Sequence, residues 1–164
     1  MLNFCDGSTY DGVFQNNQCH GIGTLTFANG ESYYGNWVKN SKQGVGIYLH
    51  ANGMKYKGEW KGDKKHGLGR TDWPNGDTHI GEYRDGYQHG KGKLRYASGE
   101  LYNGDFSFNR IEGYGSYTMS DSIKYIGKWE NNKIHGNGRI VYPDGKIKKG
   151  VWKNGVREHC MDSN

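Results

Sequence analysis

A 23-residue period runs through this chain without an insertion, and no other feature restricts the fold as much. A repeat of that length is one supersecondary unit stacked on its neighbours, so the period is read before any single strand or helix. Full units span 10–32, 33–55, 56–78, 79–101, 102–124 and 125–147, with partial units at both ends of a 1–155 array and a tail at 156–164. The third position of every unit is glycine, from Gly12 to Gly150. The fifth is aromatic throughout: Phe14, Trp37, Trp60, Tyr83, Phe106, Trp129 and Trp152. A G-x-G pair follows, Gly21/Gly23 in the first unit, and a last glycine such as Gly30 closes most units. These columns, with one turn position, take up 27 of the 28 glycines, so glycine here is positional and is not linker composition.

The columns translate into strands. In Tyr56-Lys-Gly-Glu-Trp60, alternate residues share one face, leaving Lys57 and Glu59 on the other. A polar turn is expected over 62–67, a second strand over 68–73, and a hairpin at the Asn75-Gly76 pair. About 14 strands follow, from 2–4 to 149–152, in an all-β antiparallel meander of stacked hairpins. Glycine normally weakens a strand, but a cross-strand ring lying over a residue with no side chain offsets that cost. The aromatic column therefore reads as a spine.

Composition agrees. In 164 residues, 33% hydrophobic content is thin material for a two-layer core, and 14% aromatic residues carry most of the area the chain can bury. No stretch reaches the ~18 apolar residues of a membrane span, and the N-terminus has neither a basic region nor an apolar one. A cytoplasmic chain is the expectation. Cys5, Cys19 and Cys160 are odd in number and unrelated in spacing, which suits free thiols. The net charge of +5 collects from residue 124 onward, where nine basic residues face four acidic ones.

Tyr-x-Gly-x-Trp followed by His-Gly-x-Gly and Asn-Gly, as in 56–76 and 125–145, resembles the MORN (membrane occupation and recognition nexus) repeat, over essentially residues 4 to 155. The resemblance implies an elongated, twisted, groove-shaped single-layer sheet with no catalytic residues. It also implies a scaffold of cytoskeletal, ciliary or flagellar assemblies, of membrane junctions, or an accessory region of a larger enzyme. Departures stand at His79 for Tyr, at Gln43 and Glu112 for His, and at Ser122 for Gly, so the unit 102–124 is expected to differ in its turns.

Few residues invite chemistry. His20, His66, His89 and His135 share a column, but equivalent positions in successive hairpins lie roughly 9.5 Å apart, too far for one zinc ion. The G-x-G pairs lack the strand–loop–helix setting of a phosphate loop, and no nucleophile has a base and an orienting group. Neither a metal nor a cofactor is expected, and catalysis is not. A single layer leaves aromatic surface for a protein partner, and the candidates are Trp37, Tyr48, Trp60, Trp73, Tyr83 and Tyr96, rimmed by Lys57, Lys93 and Arg95. The alternative is anionic phospholipid at Lys146, Lys148, Lys149 and Lys153. Nucleic acid fits less well, because acids interrupt the basic residues. The outer strands leave open edges, which invites end-to-end self-association.

Overall fold

A computed structural model describes residues 1–160; residues 161–164 and the Cys160 side chain, with the expectations that fall on them, lie outside the described part. The strands form one open antiparallel sheet in sequence order, not closed into a barrel. Two compact units divide the chain, Met1–Tyr87 and Gln88–Asn164. The first carries β1 (Leu2–Asn3), β2 (Thr9–Gln15), β3 (Gln18–Thr26), β4 (Ser32–Val38), β5 (Ser41–Leu49), β6 (Lys55–Lys61), β7 (Lys64–Asp72) and β8 (Thr78–Arg84). To the second belong β9 (Tyr87–Arg95), β10 (Leu101–Ser107), β11 (Arg110–Thr118), β12 (Lys124–Glu130), β13 (Lys133–Val141), β14 (Ile147–Lys153) and β15 (Val156–Cys160). The fifteenth strand begins where a tail was expected, so β14 has a neighbour on both sides and is not an edge.

Turn chemistry is distributed differently from the expectation at the Asn-Gly pairs. The two-residue turns lie at the other hairpins, where both residues take positive φ: Gly62 (54°) with Asp63 (65°), Asn131 (47°) with Asn132 (64°). That is the type I′ geometry whose twist matches a hairpin, and it lets β7 start at Lys64, within the expected polar turn. At Asn75-Gly76 only the glycine is left-handed (φ 92°), and Trp73 N–H closes a wider loop on the Asp77 carbonyl at 3.0 Å. Trp73 therefore belongs to a loop and not to a strand. The unit 102–124 keeps the common turn geometry. Phe108 and Asn109 adopt φ 46° and 64°, and Ser122 takes the glycine conformation at φ 67°.

A glycine pair crosses the two-residue hairpins β2–β3, β4–β5, β6–β7, β10–β11 and β12–β13, as with Gly12 opposite Gly23 and Gly58 opposite Gly69, whereas β14–β15 sets Gly150 opposite Cys160. Over each pair lies the tyrosine two residues earlier. A Cβ on Gly58 would stand 2.6 Å from the Tyr56 hydroxyl, so the ring occupies the space that a side chain would take. Beyond the pair the register shifts by a bulge, between Gly58 and Glu59 in that hairpin. Such a bulge removes a carbonyl from the ladder, and the tyrosine hydroxyl donates to it: Tyr56 to Glu59 O at 2.9 Å, Tyr33 to Asn36 O at 3.1 Å, Tyr102 to Asp105 O at 2.9 Å.

Candidate functional site

Each unit buries rings on one face of its own strands. In the first, Tyr33 meets Trp37 and Trp60 edge-to-face with centroids 5.0 and 5.2 Å apart, and Tyr56 meets Trp60 and Tyr83 at 5.2 and 5.0 Å. In the second, Tyr125 lies between Trp129 and Trp152 at 5.6 and 5.2 Å. Each tyrosine is thus held by the aromatic of its own repeat and that of the next, contacts of about 0.5–1.5 kcal/mol each beyond area burial. Indole N–H groups complete the spine, Trp37 Nε1 donating to Gly23 O at 3.1 Å and Trp60 Nε1 to Gly46 O at 3.3 Å. Burial pushes the Tyr33, Tyr56 and Tyr102 hydroxyls well above their ordinary value, and Tyr10 and Tyr125 up to about 12. They stay neutral donors.

One repeat departs. His79 replaces the tyrosine, and Tyr83 takes over the hydroxyl, with Thr71 Oγ1 at 2.7 Å and His79 Nδ1 at 2.8 Å. Burial lowers the His79 pKa to about 4, so the imidazole is neutral at neutral pH.

The six candidate aromatics divide by depth. Trp37, Trp60 and Tyr83 are buried in the spine of the first unit. Tyr48 and Trp73 are half-buried in the same unit, and Tyr48 packs on His50 at 4.5 Å while donating to Glu31 Oε2 at 2.7 Å. Burial and that bond raise Tyr48 to about 12, and the same bond holds the Glu31 carboxyl below its ordinary value. Tyr96 lies in the second unit, lining a cavity of about 280 Å³ with Leu94, Phe106, Ile111, Tyr117 and Trp129.

The expected rim is on the wrong face. Lys57 pairs with Arg70, Lys93 with Asn103 and Arg95 with Leu101, one residue out of step with the tyrosine column, so the strand alternation sends them to the opposite side. Cations against the spine rings come from a column not singled out in the sequence: Cys19, Lys42, Lys65, Gln88, Ile111, Ile134, Arg157. Lys42 Nζ stands 5.2 Å from both the Tyr48 and Trp60 centroids, and Lys65 Nζ is 4.9 Å from that of Tyr56. Burial lowers both ammonium pKa values, offset at Lys42 by Asp63. The signal was available, since a 23-residue step from the strand residue opposite each aromatic finds them.

The basic residues of the last repeats do not form one patch. Lys146 pairs with Asp144 at 3.0 Å, Lys148 sits over the Tyr142 ring at 5.4 Å, and Lys149 pairs with Arg139 on the other face. Lys153 is exposed at the end of β14. Among the described residues no three His, Cys, Asp or Glu side chains gather as a metal site, and no helix long and apolar enough to cross a membrane is present. Cys5 and Cys19 are free, Cys19 buried.

Fold and surface together define a repeat protein with a one-layer aromatic face. The chain belongs to the MORN repeat family, whose pattern matches residues 10–32, 33–55, 56–78, 79–100, 102–123 and 125–147. No curated protein sequence matches it. Among solved structures it is similar to the SAS-4 (dCPAP) TCP domain of Drosophila melanogaster in complex with a proline-rich motif of Ana2 (dSTIL), at 14% identity and TM-score 0.54, covering 93% of this chain and 88% of that one. A match to the TCP10 domain of Danio rerio CPAP has 14% identity and TM-score 0.37 over 99% of both chains. At such identity the first likeness concerns the fold alone.

Proposed function

We propose that this chain is a non-catalytic scaffold that binds an extended segment of a partner protein across its aromatic face, within a cytoskeletal assembly, ciliary or flagellar in setting. One observation carries the reading. The spine is covered by its own rings, but outside it Tyr48 on the sheet and Trp73 in the loop after β7 remain half-buried with no second layer among the described residues, and Tyr48 lies beside the desolvated ammonium of Lys42. Aromatic side chains with one covered and one open surface, next to a cation, are the usual anchors of an interface. The fold of the SAS-4 TCP domain, solved with a proline-rich motif of its partner, supports a role in holding a peptide. Self-association through the outer strands belongs to the same reading. A phospholipid surface has less support, because Lys148 and Lys149 point to opposite faces.

The experiment is proximity labelling in ciliated cells, followed by titration of the recovered partner segments against the purified chain. Tyr48→Ala with Trp73→Ala is expected to weaken binding about thirtyfold while leaving the spine folded. Unchanged affinity in that double variant would remove the aromatic face from the interface.

A further inference from the structure

The outer strands of the sheet are fragments of one strand. Within the array, β4 pairs with the strand before it at six positions, from Gly21 opposite Trp37 to Thr26 opposite Ser32. β2 has only two such pairs, Leu2 with Tyr10 and Asn3 with Thr9, which leaves its edge uncovered along Val13 and Phe14. A 23-residue step places Leu2 and Asn3 on Leu25 and Thr26, the end of β3. Seen the same way, β15 falls on Gln18–Ile22, the beginning of β3. The two fragments do not overlap, and together they cover seven of the nine positions of β3, all but those of Gly23 and Thr24.

We propose that a second copy of this chain lays its β15 along the uncovered edge of β2, head to tail and in phase with the repeat. The joint gives register to the end-to-end association proposed above and does not depend on what binds the aromatic face. His159 of one copy then stands opposite Phe14 of the other, as Gly21 stands opposite Trp37. Two side chains favour this register over any other. Asn40 Oδ1 accepts the Cys19 N–H at 2.8 Å while Asn40 N–H donates to Cys19 O at 3.0 Å, and Asn132 clamps Ile111 in the same way. Asn17 heads that column with the same left-handed backbone (φ 59°), and its side chain has no hydrogen bond among the described residues. In the joint it faces position 157 of the other copy.

Glu158 is the second. Gln43 and Glu112 occupy its column, and their side-chain oxygens accept the N–H groups of the following turn, Gly62 at 2.9 Å and Asn131 at 3.1 Å. The corresponding donor for Glu158 is Asn16 N–H of the other copy. Pairing like ends, β2 with β2 or β15 with β15, satisfies neither. The contact is therefore heterologous and leaves a free end after each addition.

Sedimentation of the full chain over a range of concentrations tests this, together with disulfide trapping. Mass is expected to rise with concentration beyond a dimer. Asn17→Gly, which keeps the turn conformation, and Glu158→Ala should each weaken association about tenfold, whereas Glu158→Gln should retain it. With Cys5→Ser and Cys160→Ser as background, Phe14→Cys/His159→Cys should oxidise to a ladder of multimers, and His159→Cys alone should not cross-link. A single-chain mass at every concentration would overturn the proposal, and so would dimers from His159→Cys alone. Segment binding by Asn17→Gly at wild-type affinity separates failure here from failure of the partner-binding reading.

Discussion

Lys42 and Lys65 hold in the first unit the place that Ile111 and Ile134 hold in the second, against the same kind of ring. At those two repeats the second unit covers its rings with aliphatic carbon, and Ile111 is buried and belongs to the core cluster. Lysine side chains cover the rings in the first, their desolvated ammonium groups lying 4.9–5.2 Å from ring centroids. The opposite faces diverge too. At the middle of the G-x-G pairs the first unit exposes Ile22, Val45 and Leu68, while the second has Lys91, Tyr114 and Asn137. One backbone plan thus sets lysine against the spine rings at two repeats of the first unit and isoleucine at two repeats of the second, where the cation of the column is Arg157, 5.7 Å from the Trp152 centroid. The repeat fixes geometry, and single columns set surface chemistry.

Exchanging the column residues is the strongest way to break that comparison. Ile111→Lys should cost about 3 kcal/mol or more, because an ammonium would be placed where the neighbouring contacts are apolar. Lys65→Ile should be neutral or stabilising by about 1 kcal/mol, since it removes a desolvated charge and keeps the carbon. Urea unfolding followed by hydrogen exchange within each unit would measure both. Equal losses at the two sites would mean that the column is indifferent to chemistry.

Acid sharpens the contrast through His79. Its folded pKa of about 4 lies below the unfolded value near 6.5, so between these limits the unfolded chain binds the extra proton. Stability is fully present above about pH 6.5 and is lost as pH falls toward 4, by about 3 kcal/mol in all. That loss should appear in amides of the first unit around Thr71 and Tyr83, whereas Tyr102 and Tyr125, which hold the equivalent place in the second, do not titrate there. Nuclear magnetic resonance titration of the His79 ring is the check; a midpoint near 6.5 would remove the effect.

Much of this was legible in the sequence because glycine and aromatic columns state their geometry directly. Gly58 and Gly69 have no side chain where Tyr56 lies, as the glycine columns led one to expect, but they pair with each other and not with an aromatic column, and the ring over Gly58 comes from its own strand. Turn positions were less legible. Asn75-Gly76 has the composition of a two-residue hairpin, yet the tight turns went to Gly62-Asp63 and Asn131-Asn132, where both residues take positive φ, while at Asn75-Gly76 only the glycine does. The site was legible only in part. Trp60 and Tyr48 are both aromatic, and nothing in composition says that one is inside the spine and the other at its border. Lys57 was misplaced for a simpler reason, that a cation near an aromatic in sequence is on the other side of a strand.

The smallest expected effect tests the turns and bears on why the second unit tolerates the repeat's largest departure. Gly53 and Gly76 close repeats in the first unit at φ 87° and 92°, while Ser122 does so in the second at φ 67°. A side chain in the left-handed region costs about 1 kcal/mol, and glycine carries no such cost but loses more freedom on folding. Ser122 N–H still closes the loop on Met119 O at 3.0 Å, and the Asp121 carboxylate accepts the Ile123 N–H at 3.1 Å, as Asn75 does for Asp77. Hydrogen bonding is therefore complete, and strain alone separates serine from glycine. Ser122→Gly should raise the stability of the second unit by about 0.5 kcal/mol and leave the first unchanged, read from urea midpoints and unit-resolved hydrogen exchange. Gly76→Ser in the first unit should cost a similar amount. If it costs far more, the loops are not interchangeable, and the tolerance of Ser122 belongs to the second unit's own packing and not to the repeat.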